Sequence, residues 1–318
     1  AENFNELEIA WTFRPDNLGP IPDPRLQATP LMVDGVLYLT AGSRRAAVAL
    51  DARSGELLWK FNINEGERGQ MAPRAGSGRG LSYWTDGNEK RIIFVTPGYQ
   101  MVTLDADSGV PIQSFGENGV VDLKKGLGQE ILPTADIGLH ATPLVVGDTI
   151  VVGSAHLPSQ SPNERAGQVK GKVRAYNVKT GERKWVFNPI PEQGEFGYDT
   201  WLNESSKGVG NGGAWTQHSA DPELGLVYVG IELPTGDWYG GHRPGDGLFG
   251  ESIVALDIET GERKWHYQTV HHGIWDMDIP AAAILTDITV DGRNIKALAQ
   301  IVKHGWVFVL DRETGEPV

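Results

Sequence analysis

One short stretch of the sequence, residues 270–280, gathers side chains that can take part in acid–base chemistry. It contains two carboxylates, Asp276 and Asp278, and two imidazoles, His271 and His272, and it shows no apolar periodicity. A stretch of this kind is typical of a loop rather than of a core element. A carboxylate that a loop holds over a pocket can act as a general base.

A lysine 27 residues further along the chain, Lys303, is the candidate partner of Asp276. It lies among apolar, strand-forming residues at 302–309, where an unpaired charge would be costly to bury. Two interpretations follow. The pair is either a structural ion pair, or Asp276 is a general base and Lys303 is an electrostatic clamp on a bound cofactor. The spacing alone favours the structural ion pair.

Trp215 differs from most other tryptophans of the chain, because it follows the glycine-rich run 208–213 rather than a strand. It is either a stacking platform for a flat ligand or a structural residue.

His271 and His272 are weak candidates for a metal site, since neighbouring side chains in an extended segment point to opposite faces. They are more typical of supporting structure.

Composition excludes several kinds of site and partner. The chain has no cysteine, so it has no disulfide, thiolate nucleophile or cysteine-ligated metal. It also lacks a Gly-x-Ser-x-Gly elbow, a zinc-binding His-Glu-x-x-His helix and a phosphate loop. The net charge of −13 argues against nucleic acid and anionic membranes as partners. No apolar run approaches the roughly 20 residues that span a bilayer, so we expect no membrane-spanning segment.

An internal repeat organises the chain that must position these residues. A segment of the form Asp/Asn-x-x-Ser/Thr-Gly followed by a tryptophan occurs three times, with two partial copies (49–59, 175–185, 255–265, 103–109 and 309–315). Each copy reads as a tight turn with a left-handed glycine that joins two β-branched strands. Asp-Gly or Gly-Asp pairs predict further hairpins. Each repeat therefore contains four antiparallel strands, and helical periodicity is nearly absent.

Repeated four-stranded units predict an all-β fold, a β-propeller built from four-stranded antiparallel blades. The repeat tryptophans (Trp11, Trp59, Trp185 and Trp265) are predicted to pack between blades. We expect about five blades in a single domain, residues 1–318. The sequence stops within a turn after Gly315, so either it is a fragment or a second polypeptide supplies the missing blades. We expect the first, a partial propeller that is truncated at the C-terminus.

Four long segments interrupt the repeats, and they are rich in glycine, proline, serine and charged residues (64–88, 116–138, 157–170 and 189–213). Long insertions in a repeat architecture usually form loops on one face, and that face often carries the function. We therefore expect these segments to surround the site.

The stretch 265–280, followed by 303–305 and 308–312, resembles the quinoprotein dehydrogenases that use pyrroloquinoline quinone (PQQ), in particular the branch similar to membrane glucose dehydrogenase. The resemblance extends from about Trp11 to the last residue. It implies an eight-bladed propeller that holds PQQ on its axis together with a divalent cation, Ca²⁺ or Mg²⁺.

The resemblance also implies roles for individual residues. Asp276 matches the catalytic base, which lies close to the metal; Lys303 matches the lysine that contacts the quinone oxygens; Trp215 matches the tryptophan that stacks on PQQ. Where that branch tends to have a histidine facing the cofactor, this chain has Arg44. An arginine there suits a PQQ carboxylate and argues against glucose as the substrate.

The function implied by the resemblance is a periplasmic dehydrogenase, soluble or peripheral, that oxidises a sugar or alcohol and passes electrons to a quinone or cytochrome. Assembly into a homo-oligomer is compatible with it. The alternative is a non-catalytic propeller that serves as a binding or assembly scaffold in the cell envelope. A scaffold has no need for an acid, a lysine and a tryptophan at one site, so the distance between Asp276 and Lys303 discriminates between the two.

Overall fold

A computed structural model describes residues 3–23, 25–134, 136–157 and 169–318. The described helices are short: one α-helix, α1 (Glu67–Gln70), and 3-10 helices at Phe4–Glu6, Tyr198–Thr200 and Leu202–Gly208. No helix in the described ranges has the length and apolar character needed to cross a membrane. The fold is all-β, as the sequence predicts.

Five antiparallel sheets follow one another along the described chain. The first contains β1 to β4 (Leu31–Val33, Val36–Ala41, Ala46–Asp51 and Leu57–Phe61). The second contains β5 to β8 (Ser82–Thr85, Lys90–Val95, Gln100–Asp105 and Val120–Asp122). The third contains β10, β11, β13 and β14 (Leu144–Val146, Thr149–Val152, Val173–Asn177 and Arg183–Phe187).

The fourth sheet contains β15 to β18 (Ser219–Asp221, Leu226–Gly230, Ser252–Asp257 and Arg263–Gln268). The fifth has three strands in the described residues, β19 to β21 (Ile284–Val290, Arg293–Ile301 and Val307–Asp311). A separate short pair joins β9 (Ile137–Gly138) to β12 (Ala155–His156). Each of the five sheets is an up-and-down meander, so the prediction of about five propeller blades is confirmed.

The hydrophobic core lies between the faces of successive blades. One cluster, for example, joins Ile93 and Met101 of the second blade to Ile150 and Tyr176 of the third. The first strands of neighbouring blades also contact each other, as with β5 and β10. Apolar strand residues thus stabilise the arrangement of blades, and the polar connections between strands remain at the ends of the sheets.

The repeat tryptophans join one blade to the next, as predicted. The indole Nε1–H of Trp185 donates to the carbonyl of Ile258 at 2.9 Å, in the neighbouring blade. Its ring lies on Gly261, whose φ is +72° and where an added Cβ would lie 2.5 Å from the indole. The same contact pairs other tryptophans with the turn glycine of the next blade (Trp11 with Gly55, Trp59 with Gly109, Trp265 with Gly315). The glycine therefore provides both the left-handed turn and the space for the indole.

Replacing Gly261 with alanine is expected to lower the free energy of unfolding by about 2–4 kcal/mol, since it combines left-handed strain with overpacking against Trp185. Gly225 is the matched control: its φ is +66°, and an added Cβ would meet no atom within 4 Å. Gly225→Ala should therefore lose only the strain, about 1 kcal/mol. Urea unfolding of both variants measures the difference. Equal losses would mean that the tryptophan contact does not matter.

The long segments form loops only in part. Residues 64–88 contain β5 and residues 116–138 contain β8, so two of the four segments supply blade strands. The strand signal was hidden there by flanking glycine and charge. Most of residues 157–170 lies outside the described residues.

Candidate active site

A cavity of about 870 Å³ lies where loops from all five blades meet. Its lining loops either precede the first strand of a blade or connect the second strand to the third. In an antiparallel meander both positions are at the same end of the sheet. His140, Trp215 and Asp276 precede first strands, whereas Arg44 and Lys303 lie in connections between second and third strands. The fold thus brings together residues that are far apart in the sequence.

Lys303 holds two carboxylates at the wall of the cavity. Its Nζ donates to Asp276 Oδ1 at 2.7 Å and to Asp278 Oδ2 at 2.9 Å. Asp278 also accepts hydrogen bonds from the backbone N–H of Leu233 at 2.7 Å and from Nε1–H of Trp215 at 3.1 Å. The Asp276 side chain is 37% exposed and that of Asp278 is 9% exposed. Asp276 is therefore the carboxylate that a ligand can reach, and Asp278 fixes the lysine and the tryptophan.

The two interpretations of the Asp276–Lys303 pair describe the same contact. The ion pair exists, and both of its members line the cavity. Burial lowers the pKa of Lys303, but the charges of Asp278 and Asp276 outweigh burial and raise it above its ordinary value. The lysine therefore stays protonated. The sequence predicts Asp278 to be a supporting or turn residue rather than the base, and in the structure it holds Lys303 and Trp215.

Trp215 lines the same cavity and is surrounded by basic side chains. His140 stacks on it with a centroid distance of 5.8 Å and an interplanar angle of 13°. The guanidinium of Arg79 lies 5.0 Å from the indole centroid, and Lys303 Nζ lies at 5.7 Å. Burial, followed by the charges of Arg79 and its neighbours, lowers the pKa of His140 to about 3, so the stacked imidazole is neutral. Because Trp215 lines the cavity, its indole ring is available to stack against a flat ligand.

Arg44 also lines the cavity, as the resemblance implies for a residue that binds a carboxylate. The adjacent Arg45 points elsewhere: it is buried and donates to four backbone carbonyls, of Gly76, Val95, Leu139 and Arg74. Three further arginines line the cavity, Arg25, Arg74 and Arg79, and none of them was identified from the sequence. Arg79 lies within the glycine-rich run 76–80 and Arg74 precedes it.

The cavity lining also contains a group of acidic side chains around Lys303. Glu232 and Asp237 line the cavity together with Asp276 and Asp278. Burial raises the pKa of Asp278, and the charge of Glu232 raises it further. Burial also raises the pKa of Asp237 to about 6, with contributions from Asp276 and Glu232. Lys303 is the basic residue that contacts Asp276 and Asp278 within this group. A bound cation would relieve the repulsion among these carboxylates.

Oxygen donors for a hard divalent cation are present in the cavity lining. Asn211 lines the cavity, and its side-chain oxygen Oδ1 is buried and has no hydrogen-bond donor within the described residues. No three histidine, cysteine or acidic side chains in the described ranges are close enough to hold a metal by themselves. A cation here would therefore need the amide oxygen of Asn211, together with ligands from a cofactor or from solvent.

The adjacent histidines of the opening stretch do not line this cavity. His271 is exposed, and Nδ1 of His272 lies 2.9 Å from the carbonyl of Gly245. Their positions agree with the prediction that they are supporting structure.

Glu251 lies behind the loop that carries Asp276 and was not identified from the sequence. It is 1% exposed, and its Oε1 accepts the backbone N–H of Met277 at 3.0 Å. Burial raises its pKa to about 7, and the charge of Asp278 acts in the same direction. Glu251 therefore anchors the backbone between the two aspartates.

Substituting Glu251 with glutamine keeps an oxygen that accepts the backbone N–H of Met277 and removes the ionisable carboxyl group. Because the folded-state pKa is raised, the glutamate stabilises the fold below pH 4.5 and loses that contribution as pH rises through about 7. Between pH 4.5 and about 7, the free energy of unfolding of the wild type is expected to fall by about 3 kcal/mol relative to that of Glu251→Gln. Urea unfolding at several pH values measures the gap, with Glu262→Gln on the surface as a control. A gap independent of pH would contradict the expectation.

Comparisons with known proteins agree with this geometry. Residues 1–318 match a family profile described as PQQ, glucose/ethanol/alcohol dehydrogenase, β-propeller domain. The quinoprotein glucose dehydrogenase of Escherichia coli (strain K12) is 32% identical over all of this chain and 40% of its own length. Quinohemoprotein alcohol dehydrogenase ADH-IIG of Pseudomonas putida is 32% identical over 99% of this chain and 42% of its own length.

Solved structures show the same likeness. The structure of ADHIIG from Pseudomonas putida HK5 has a TM-score of 0.78 and 30% identity, over 93% of this chain and 42% of that one. A europium-containing methanol dehydrogenase has a TM-score of 0.77 and 26% identity, over 99% of this chain and 53% of that one. The chain spans about two fifths of the length of the curated relatives it matches.

Proposed function

Because this chain belongs to the PQQ-dependent glucose/ethanol/alcohol dehydrogenase β-propeller family, we propose that it acts as a PQQ-dependent dehydrogenase on a sugar or alcohol hydroxyl. The observation that carries the proposal is the contact of Lys303 with Asp276 at 2.7 Å, beside Trp215, in the wall of one cavity. The scaffold alternative would be favoured by a wide separation of Asp276 and Lys303, and their contact supports the dehydrogenase.

The residues present fit a flat, anionic cofactor. PQQ carries carboxylates, and Arg44, Arg74 and Arg79 supply guanidinium groups in the cavity lining that can pair with them. Trp215 supplies an aromatic face. When bound, PQQ supplies a quinone that accepts the hydride and electron pair from the substrate carbon.

The protein's own groups then have distinct tasks. Asp276 is the exposed carboxylate, so it is placed to accept the proton of a substrate hydroxyl. Lys303 presents a fixed positive charge to oxygens that become more negative in the transition state. Asp278 holds both Lys303 and Trp215 in position.

A divalent cation, Ca²⁺ or Mg²⁺ by the resemblance, would be held by Asp276 together with Asn211. The unpaired buried oxygen of Asn211 and the excess of carboxylates support a cation in this cavity. Its charge would polarise a bound oxygen and would lower the negative potential around Asp276. We further propose that the electrons pass to a quinone or cytochrome and that the protein works in the periplasm.

Reconstitution tests the proposal. The purified protein is titrated with PQQ, with and without Ca²⁺ or Mg²⁺, and binding is followed by quenching of tryptophan fluorescence. Dye reduction is then measured with a panel of sugars and primary and secondary alcohols. Saturable PQQ binding and substrate-dependent dye reduction are expected. Absence of both PQQ binding and activity would overturn the proposal and favour the scaffold.

A further inference from the structure

His156 is a buried cavity residue with one imidazole nitrogen left free. It lies at the end of β12 and is 1% exposed. Its Nδ1 is 3.1 Å from Glu232 Oε1, whereas its Nε2 has no hydrogen-bond partner within the described residues. Both His156 and Glu232 line the cavity that contains Asp276. A buried imidazole nitrogen without a partner is uncommon and requires an explanation.

The partner on the other side of the ring determines what Nε2 can do. Glu232 is a carboxylate and accepts hydrogen bonds, and its Oε1 also accepts the backbone N–H of Gly213 at 2.8 Å. The Nδ1 of His156 must therefore carry the proton and donate the hydrogen bond to Glu232 Oε1. In the neutral ring this leaves a lone pair on Nε2. A carboxylate that orients an imidazole in this way is the usual arrangement behind a histidine that binds a metal.

A second unpaired acceptor lies close to this pair. Asn211 forms an antiparallel bridge with Pro234, and the backbone N–H of Glu232 donates to the carbonyl of Gly213 at 2.9 Å. Glu232 is two residues before Pro234, the bridge partner of Asn211, and side chains two residues apart in an extended strand point to the same face. The side chains of Asn211 and Glu232 therefore project to the same side of this strand pair. Both line the cavity, and Oδ1 of Asn211 lacks a donor within the described part of the chain. Two unpaired acceptors could be satisfied by a hydrogen-bond donor or by a cation, and the neighbouring carboxylates favour the cation.

We propose that Nε2 of His156, oriented by Glu232, is a nitrogen ligand of the divalent cation in this cavity. The inference rests on the proposed function, which places a cation beside Asp276. Imidazole binds first-row transition ions better than it binds Ca²⁺ or Mg²⁺, which prefer oxygen. A mixed set of imidazole, amide and carboxylate ligands therefore gives this cavity a preference for Mn²⁺ or Co²⁺ over Ca²⁺ and Mg²⁺.

Pulsed electron paramagnetic resonance of the purified protein with bound Mn²⁺ tests the ligand directly. Coupling to one histidine nitrogen is expected in the wild type, and growth with ¹⁵N-labelled histidine should change it. His156→Gln should abolish the coupling. His218→Gln is the matched control, because His218 is another buried histidine with an unpaired Nδ1 and it does not line the cavity. Absence of nitrogen coupling in the wild type would overturn the proposal.

Cation affinities provide a second measurement. His156→Gln is expected to weaken Co²⁺ binding by about 10- to 100-fold and to change Ca²⁺ binding less than threefold. Glu232→Gln, which keeps the side-chain shape, should weaken Co²⁺ by about tenfold. Equal losses for Co²⁺ and Ca²⁺ in His156→Gln would contradict the nitrogen ligand. PQQ binding is measured in parallel, so nitrogen-coupled Mn²⁺ without PQQ binding would reject the dehydrogenase and retain the cation site.

Discussion

Replacing Asp276 with asparagine is expected to lower the turnover number by about 10²–10⁴-fold while PQQ remains bound. Asparagine is nearly isosteric with aspartate but cannot accept the hydroxyl proton. Lys303 keeps its 2.9 Å contact with Asp278, so the positive charge stays in place. Dye-linked turnover at saturating PQQ and cation measures the catalytic effect, and fluorescence quenching measures PQQ affinity. Because Asp276 is also an expected cation ligand, cation affinity is determined for the same variant.

Asp291→Asn is the control for this substitution. Asp276 and Asp291 both have a left-handed backbone, with φ of 52° and 51°, so the change of residue type has a similar local effect at the two positions. Asp291 lies in an exposed turn between β19 and β20 and does not line the cavity. The Asp291→Asn variant should therefore retain the turnover number of the wild type. If Asp276→Asn also retained turnover at saturating cation, Asp276 could not be the base.

The sequence was most informative about the fold where one local pattern imposes one conformation. The turn before Gly261 illustrates this: Asp257 Oδ1 accepts the backbone N–H groups of Glu259 and Thr260, and the glycine takes a left-handed φ. These interactions are all local, so they can be read from a few residues. Strands β5 and β8 were missed because they lie inside segments whose composition is typical of loops, and β8 pairs with β7 only across the long connection 106–119.

The candidate site was predictable only for residues that belong to a recognisable motif. Asp276, Lys303 and Trp215 were identified in this way, and the structure brings them together. His156, Glu232 and Arg79 were not, since each is an ordinary residue in a connection whose importance depends on how blades are arranged. Sequence periodicity predicts strands but not which loop ends share a cavity. Burial, which separates Asp278 from Asp276, likewise depends on the whole fold.

Replacing Lys303 with methionine is expected to reduce both catalysis and stability. The lysine is the positive charge that contacts Asp276 and Asp278, and Asp278 is only 9% exposed. Loss of one partner leaves a largely buried carboxylate without compensation, and for fully buried pairs this costs about 3–5 kcal/mol. Lys303 is 27% exposed, so a loss of about 2 kcal/mol in unfolding free energy at pH 8 is expected. Turnover should fall by about 10²–10³-fold, because the electrostatic clamp is absent.

Two further measurements separate this electrostatic effect from lost packing. Without Lys303 the pKa of Asp278 should rise further, so the destabilisation should shrink as pH falls and Asp278 binds a proton. Adding Asp278→Asn should restore stability but not turnover. Lys296→Met is the control on the same blade, because its ion pair with Glu223 is at the surface, where solvent screens it, and its loss should change stability little. If the loss of unfolding free energy in Lys303→Met persisted unchanged at low pH and in the double variant, its cause would be the lost packing of the lysine side chain rather than the lost charge. The predicted recovery would instead identify Lys303 as the charge that favours the ionised form of the buried Asp278 carboxyl.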